Sequence, residues 1–308
     1  MISLIVPIWN EEKNIIPFLN AVKKNLVNES YEVIFVADPC TDKTIDVVEI
    51  ESKNSQFIKL ILMSRRFGQP MAILAGLKKC LGKCAIVIDV DMQNPPTLLP
   101  KMLELWREGN DVVLPRLKKR LGESPIRSFV ARTAYKIIDQ FSEIKMPKNV
   151  SDFRLIDRKV IDQINLMEER HGFLRGMVAY AGFKTKYIPF DRQPRLTGKT
   201  KHNQFFGSFR VGGDGVFAYS SFGLSLIFNL GILLASFSLI ISLIYFIAKI
   251  SGYVFPWGFA SIIISIFLVG AINMFGMAII GQYIQRIYEE TRQRPRYIIQ
   301  ETINIKND

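Results

Sequence analysis

The sequence predicts an α/β body joined to a membrane part, and three observations carry that reading. Short apolar runs alternate with helix-length segments from Ile2 to Leu114. Charge is plentiful, with 40 Lys and Arg against 28 Asp and Glu in 308 residues and a formal balance of +12. Yet from 215 to 285 the only charged side chain is Lys249. A chain that is 49% hydrophobic and 22% charged has the apolar content to bury a core, which excludes a disordered chain.

The body takes its elements in order. Apolar runs at Ile2 to Ile8, Tyr31 to Ala37, Phe57 to Met63, Ala85 to Asp89 and Asp111 to Leu114 have strand length. Between them lie helical segments at Glu11 to Leu26, Thr41 to Ser52, Gln69 to Leu81 and Pro96 to Arg107. Such alternation predicts a mostly parallel sheet covered by helices. Ligands of these sheets bind beyond the carboxyl ends of the strands. Asn10, Glu11, Asp38, Asp89 and Asp91 each follow a strand there, so acidic groups from three strands face one edge.

The membrane part follows from length. Residues 227–248 and 257–280 each supply the ~20 apolar residues that cross ~30 Å of hydrocarbon. Their link carries one charge, whereas Arg210 precedes the first span and Arg286, Arg292, Arg294 and Arg296 follow the second. Positive flanks belong on the cytosolic side, so both termini are expected there. The predicted division is 1–214 for a cytosolic domain with interfacial helices, 215–285 for the two-helix hairpin and 286–308 for a cytosolic tail. No apolar signal precedes Glu11-Glu12-Lys13, and the odd set Cys40, Cys80 and Cys84 lacks paired spacing. Both features predict a reducing compartment for the body. Cys80 and Cys84, without a nearby His or third Cys, read as small core residues rather than metal ligands.

The turn after the first strand, Pro7-Ile8-Trp9-Asn10-Glu11-Glu12, has no glycine, and no Gly-Lys-Ser/Thr phosphate loop occurs. A diphosphate in this cleft must be neutralised otherwise. Asp89-Val90-Asp91 at the end of a buried strand, followed by Gln93, suits a hard divalent cation, Mg or Mn, that keeps positions open for phosphate oxygens. Asn10 and Glu11 have a second reading as a helix N-terminus.

Two basic stretches complete the pattern. Arg116, Lys118, Lys119, Arg120, Arg127, Arg132 and Lys136 face the single acid Glu123, and apolar residues from Ile126 to Phe141 recur at helical spacing. A basic amphipathic helix in the headgroup layer would hold Arg116, Arg127 and Arg132 at phosphate depth. An ordinary amphipathic helix packed on the body is the plainer alternative. The planar fork of Arg suits phosphate. Nucleic acid would favour the same patch, but two spans make membrane phosphates the nearer partner. The second stretch, Arg195-Leu196-Thr197-Gly198-Lys199-Thr200-Lys201, lies just before the first span.

These residues carry a resemblance. Val6-Pro7-Ile8-Trp9-Asn10-Glu11-Glu12, Asp38 with Thr41-Asp42-Lys43-Thr44, Ser64-Arg65-Arg66-Phe67-Gly68, Asp89-Val90-Asp91-Met92-Gln93-Asn94-Pro95-Pro96 and Ser151-Asp152-Phe153-Arg154-Leu155 resemble family 2 glycosyltransferases. The match is to their polyprenyl-phosphate branch, which includes dolichol-phosphate mannose synthases and bactoprenol glucosyltransferases. The segment from Gly281 to Tyr297 is similar to the tail of two-helix bacterial members.

The resemblance implies a GT-A fold and transfer of a sugar from a nucleotide diphosphate to a lipid monophosphate. It implies donor contacts from Pro7, Asn10, Glu11, Asp38, Asp89, Arg195 and Lys201. It assigns Asp89, Asp91 and Gln93 to the metal, and Asp91 and Asp152 to catalysis, Asp152 as base or positioning group. It also implies a multi-pass protein of the bacterial inner membrane and a homo-oligomer, with a tetramer as one candidate state. Where relatives read Asp-Gly-Ser this chain has Asp38-Pro39-Cys40, which loses glycine's freedom and exchanges hydroxyl for thiol.

Glucose from UDP-glucose to undecaprenyl phosphate is the leading expectation. Open beside it stand GDP-mannose, UDP-N-acetylglucosamine or an amino-arabinose nucleotide as donor, and a non-catalytic scaffold that binds nucleotide sugars. A processive polysaccharide synthase would carry Gln-x-x-Arg-Trp, which is absent. His171 and His202 read as non-catalytic.

Overall fold

The computed structural model describes residues 1–117, 147, 150–167, 174–191 and 258–305, with isolated helical positions between 227 and 252. The chain divides into two compact units, Met1–Thr133 with Ile144–Phe209 and Arg294–Asp308, and Ala134–Glu143 with Arg210–Gln293. Arg127, Arg132, Arg195, Lys201 and both histidines lie outside the described residues, as do the expected amphipathic helix and most of 227–248.

The first unit begins with β1 (Ile2–Ile8), α1 (Ile15–Asn25), β2 (Tyr31–Ala37), α2 (Thr44–Asn54), β3 (Ile58–Met63), α3 (Gln69–Lys79) and β4 (Cys84–Val87). A 3-10 turn at Pro96–Leu98 leads into α4 (Leu99–Arg107) and β5 (Val112–Leu117). Then come β6 (Arg154–Asp157), α5 (Arg158–Leu166), α6 (Leu174–Ala181) and β7 (Thr185–Phe190), and β8 (Ile299–Ile303) near the end of the chain. The five strands expected from apolar runs are all present, within a few residues at their ends.

The sheet has eight strands in the order β7-β5-β6-β4-β1-β2-β3-β8. It is mixed rather than mostly parallel. β6 runs antiparallel between β4 and β5, and β8 antiparallel beside β3. β6 is only four residues long and β8 belongs to a segment read as a tail, so neither announces itself by an apolar run.

The core has two layers of side chains. Val22, Phe18 and Ile15 of α1, Val48 of α2 and Met102 of α4 pack on one face with Val6, Phe35 and Ile86. Ile73 and Leu77 of α3, Ile161 of α5 and Met177 of α6 pack on the other with Ile5, Ile34 and Val87. Both faces of the central strands are covered, which is why they read as continuous apolar runs. Gly76 permits the tightest approach of α3 to the sheet, since a Cβ there would meet Ile5 Cγ2 at 2.5 Å.

Strand directions gather chemistry at one edge. β5 is antiparallel to β6, which is antiparallel to β4, so β4 and β5 point the same way. The carboxyl ends of β1 to β5 and the start of β6 therefore share an edge. At the opposite edge a buried polar cluster ties the strand starts together. Glu32 Oε1 accepts from Ser3 Oγ (2.5 Å) and Leu81 N–H (2.7 Å), and Oε2 lies 2.6 Å from Lys59 Nζ.

The second unit contains α7 (Phe259–Thr291), whose 33 residues span about 50 Å at 1.5 Å per residue. The stretch 257–280 falls within it apart from its first two residues. A Cβ on Gly276 would come 3.9 Å from Ile227 Cγ2, so the helical position 227 lies beside α7. Large apolar side chains face outward along both, among them Leu233, Phe237, Ile262, Ile266, Val269 and Phe275. Counting the described residues alone, no helix is long and apolar enough to cross a membrane.

Candidate active site

Pro7 marks where the cleft opens. β1 and β4 pair only as far as Ile5 and Val87, and Ile88 N–H donates to the Ile5 carbonyl at 3.0 Å. Alternate residues of a strand face the same neighbour, so Pro7 faces the side that β4 has just left. Its missing N–H costs the ladder nothing there. β2 and β3 follow β1 on one side and β4 returns on the other, which makes this gap the topological switch point where such sheets hold ligands.

Three loops border the gap and are tied to one another. Asn10 takes a positive φ of 55°, which Asn tolerates better than most residues. Its Oδ1 accepts Thr41 N–H (2.8 Å) and its Nδ2 donates to Thr41 Oγ1 (3.0 Å). Glu11 N–H donates to Thr44 Oγ1 at 2.7 Å, and Glu11 Oε2 accepts from Asn14 Nδ2 at 2.5 Å. Since α1 starts only at Ile15, Asn10 and Glu11 belong to the loop and not to a helix N-terminus.

Asp38 is 4% exposed, and its two oxygens accept Phe67 N–H and Gly68 N–H, each at 3.0 Å. It thereby fixes the turn into α3, where Gly68 has a φ of 88° that only glycine adopts freely. Arg66 of the same turn stacks on the Trp9 ring with its guanidinium carbon 3.6 Å from the centroid. Arg66 was visible in sequence only as part of a motif. A contact between residues so far apart in the chain requires the fold.

The altered Pro39-Cys40 acquires a physical account. Cys40 Sγ accepts Asn10 N–H at 3.3 Å and donates to the Asp38 carbonyl at 3.2 Å. Burial pushes the thiol's pKa up, so it stays protonated and keeps its donor. A serine hydroxyl has the same two capacities. Cys40→Ser is therefore expected to preserve thermal stability, whereas Cys40→Ala should cost about 1–2 kcal/mol through the two lost bonds. Thermal melts of the three proteins side by side check this.

Across the gap, Asp89 Oδ1 accepts from Gln69 Nε2 (2.9 Å) and Oδ2 from Asn94 Nδ2 (3.0 Å). Asp91 is 6% exposed and its Oδ1 accepts Gln93 N–H at 3.1 Å, closing a turn over Met92, which has a φ of 61°. Positive φ at a non-glycine residue is concentrated at functional sites, and Asn10 and Met92 both lie at this edge. Among the described residues Asn94 Oδ1 is buried without a hydrogen-bond partner. Among the described residues no cluster of three His, Cys, Asp or Glu could hold a metal. Two carboxylates with an orphaned amide oxygen beside them nevertheless suit a hard cation whose other ligands come from a substrate.

Asp152 enters from the neighbouring strand. Val87, the last residue of β4, pairs with Arg154, the first of β6, so Asp89 beyond the one and Asp152 before the other lie toward the same sheet edge. On the other side Arg116 bridges Val150. Asp152 thus shares the sheet edge with the end of β4 and with Arg116. Arg116 itself is exposed at the end of β5, its guanidinium carbon 5.7 Å from the Tyr187 ring centroid.

Arg175 Nε donates to Asp152 Oδ1 at 2.9 Å, and Arg154 Nη2 lies 3.5 Å from the same oxygen. Burial alone would push this carboxyl up, but Arg175 and then Arg154 outweigh it and hold it below the usual carboxylate range. Arg154 is 1% exposed and burial pulls it down to about 10, still charged at neutral pH. The Asp152 ion pairs stabilise the fold above the unfolded carboxyl pKa of about 3.9. They lose that effect as pH falls through the lower native value. Sequence reasoning missed Arg175.

Comparison with known proteins now decides the family. Residues 3–164 match the model of glycosyl transferase family 2. A prophage bactoprenol glucosyl transferase homolog of Escherichia coli K12 is 33% identical over 97% of this chain and 98% of its own length. The chain belongs to glycosyl transferase family 2. An uncharacterized glycosyltransferase of Synechocystis is 35% identical over 97% of this chain and 94% of its own, and the bactoprenol glucosyl transferase of Shigella phage SfX is 32% identical over 97% and 98%. Among solved structures, glucosyl-3-phosphoglycerate synthase from Mycobacterium tuberculosis is similar at 16% identity, covering 70% of this chain and 76% of that one with a TM-score of 0.49. This glycosyltransferase has a GT-A-like α/β body with a mixed sheet, and the family match ends on α5.

Proposed function

We propose that this glycosyltransferase transfers glucose from UDP-glucose to undecaprenyl phosphate at the cytosolic face of a bacterial inner membrane. One observation carries the reading. A single sheet edge joins the aspartates after β4, Asp152 just before β6 and Arg116 near the end of β5. Relatives named bactoprenol glucosyl transferases run over 97% of the chain, apolar segment included, and support a lipid acceptor.

The donor nucleoside would lie against Pro7, Asn10, Glu11 and Asp38, with Arg195 and Lys201 closing on the diphosphate. Asp89, Asp91 and Gln93 would hold Mg or Mn, which when bound offsets charge on the departing nucleotide. Arg116, with Arg127 and Arg132, would take the acceptor phosphate. That phosphate has its second pKa near 6 and is mostly dianionic at neutral pH. One of its oxygens attacks the anomeric carbon as the bond from that carbon to the donor diphosphate breaks, and the electron pair leaves with the nucleoside diphosphate. The configuration inverts and no proton need move. A low-pKa carboxylate such as Asp152 is a weak base, and this reaction requires none.

The membrane assignment draws on the second unit. Its outward apolar side chains need hydrocarbon or other helices to cover them. The arginines after α7 favour a cytosolic tail. A homo-oligomer, with a tetramer as the first candidate, would cover part of that surface.

The test incubates membranes containing the protein with UDP-glucose, UDP-N-acetylglucosamine, GDP-mannose and an amino-arabinose nucleotide, each with undecaprenyl phosphate. The expected product is a glucosyl monophosphate lipid from UDP-glucose. Absence of any lipid product across the panel overturns the reading, and a trapped glycosyl-enzyme adduct overturns the single-displacement chemistry.

A further inference from the structure

At the cleft, Asp152 is held by guanidinium groups from two elements. Arg154 is buried at the start of β6 and spends its donors locally. Its Nη2 donates to the Ser151 carbonyl (2.9 Å) and its Nε to the Asp152 carbonyl (3.2 Å). It thereby fixes the backbone that carries Asp152. Arg175 differs. It reaches in from α6, its side chain is 32% exposed, and only Nε is engaged, on Asp152 Oδ1. Among the described residues its two terminal amino groups have no hydrogen-bond partner.

One carboxylate between two guanidiniums leaves a net positive charge at this point. The pair Asp152 and Arg175 is oriented like a clamp. The carboxylate holds the inner edge of a planar fork, and the outer edge with its remaining donors stays open. That geometry matches a phosphate, which accepts two parallel N–H bonds from such a fork. Asp152 precedes β6 at the sheet edge where β4 ends before Asp89 and where Arg116 bridges Val150, so the clamp belongs to the same edge as the aspartates.

We propose that Arg175 binds the monophosphate of the acceptor, and that Asp152 is a positioning residue that orients its guanidinium. The inference rests on the reading of the cleft as the place where lipid phosphate meets nucleotide sugar. It replaces proton abstraction by Asp152 with electrostatic placement. Each oriented guanidinium adds positive charge where the attacking dianion must approach an anionic donor, which is the costly step of bringing the two substrates together.

The test uses the full chain in detergent with undecaprenyl phosphate and UDP-glucose, measuring acceptor KM, kcat and the Kd for UDP separately. Arg175→Ala is expected to raise acceptor KM roughly ten- to a hundredfold, the effect of one charge-assisted contact. UDP binding should stay within twofold. Arg175→Lys, which keeps charge but not the fork, should recover part of the loss. Asp152→Asn, which can still accept from Arg175 Nε, should show a smaller rise in acceptor KM with kcat largely kept.

A collapse of kcat in Asp152→Asn at unchanged acceptor KM would restore the base and overturn the proposal. So would an Arg175→Ala protein whose defect lies in UDP affinity, which would move this arginine to the donor's phosphates. If the alanine variant does not fold, Arg175→Lys and Asp152→Asn decide by the same split. Wild-type protein that binds UDP yet gives no lipid product sinks the functional reading itself, a result distinct from either of these.

Discussion

Asp91→Ala is expected to lower turnover by about a thousandfold or more while the protein remains folded. The carboxylate is 6% exposed at the end of β4 and is placed by a turn in which Gln93 N–H donates to its Oδ1 across Met92. A residue held in positive φ is an unfavourable conformation that the surrounding structure maintains. What the turn secures is the direction of a carboxylate beside Asp89 and the orphaned oxygen of Asn94.

On the proposed reading, alanine would remove one of two carboxylates that would hold a divalent cation, and with the cation the charge compensation for a departing diphosphate. The structural cost includes the acceptor lost by Gln93 N–H, about 1–3 kcal/mol. The sheet beneath it, from Cys84 to Val87, is buried and unaffected. Product formation, circular dichroism and binding of Mn followed by its electron spin resonance check the three parts. Turnover near the wild-type level would remove Asp91 from the metal site.

Glu32→Ala should be the most destabilising single substitution away from the cleft, by about 3–5 kcal/mol. Glu32 is 1% exposed on β2, and its carboxylate serves Ser3 Oγ, Leu81 N–H and Lys59 Nζ. Truncation leaves a nearly buried ammonium without its counter-ion and two donors without an acceptor. Replacing Lys59 and Glu32 together by Met and Leu should restore much of the loss, because an apolar pair avoids the desolvation of both charges. Chemical denaturation of the single and double variants measures the difference. A Glu32→Ala protein as stable as the wild type would show that the cluster is dispensable.

The central strands of the first unit were legible because both faces of β1, β2 and β4 are covered by helices. Each therefore appears as an unbroken apolar run, and the residue at its carboxyl end is forced to the sheet edge. That is why Asn10, Asp38, Asp89 and Asp91 each follow a strand toward one sheet edge. β6 was not legible. Its four residues, Arg154 to Asp157, begin with a buried arginine and end with an aspartate, so no apolar run reveals the strand. β8 hid in a tail whose pairing partner, β3, lies far away in sequence. Arg175 was hidden for a related reason, since its helix is short and its partner is reached only through the sheet.

The Asp38 carboxylate shows how the two levels divide. Sequence placed it at the ligand-binding edge, and the structure adds that both oxygens hold the Phe67 and Gly68 amides, making it a keystone of the neighbouring turn.

From its sequence alone this protein is set as an α/β glycosyltransferase with an apolar segment, because periodicity, charge segregation and short motifs are local properties of a chain. Which groups act as neighbours was settled by folding. Strand order brings Asp152 to the edge that holds Asp89 and Arg116, and the fold sets Arg66 over Trp9 and Arg175 onto Asp152. No local pattern encodes such meetings, since each depends on the pairing of segments distant in the chain.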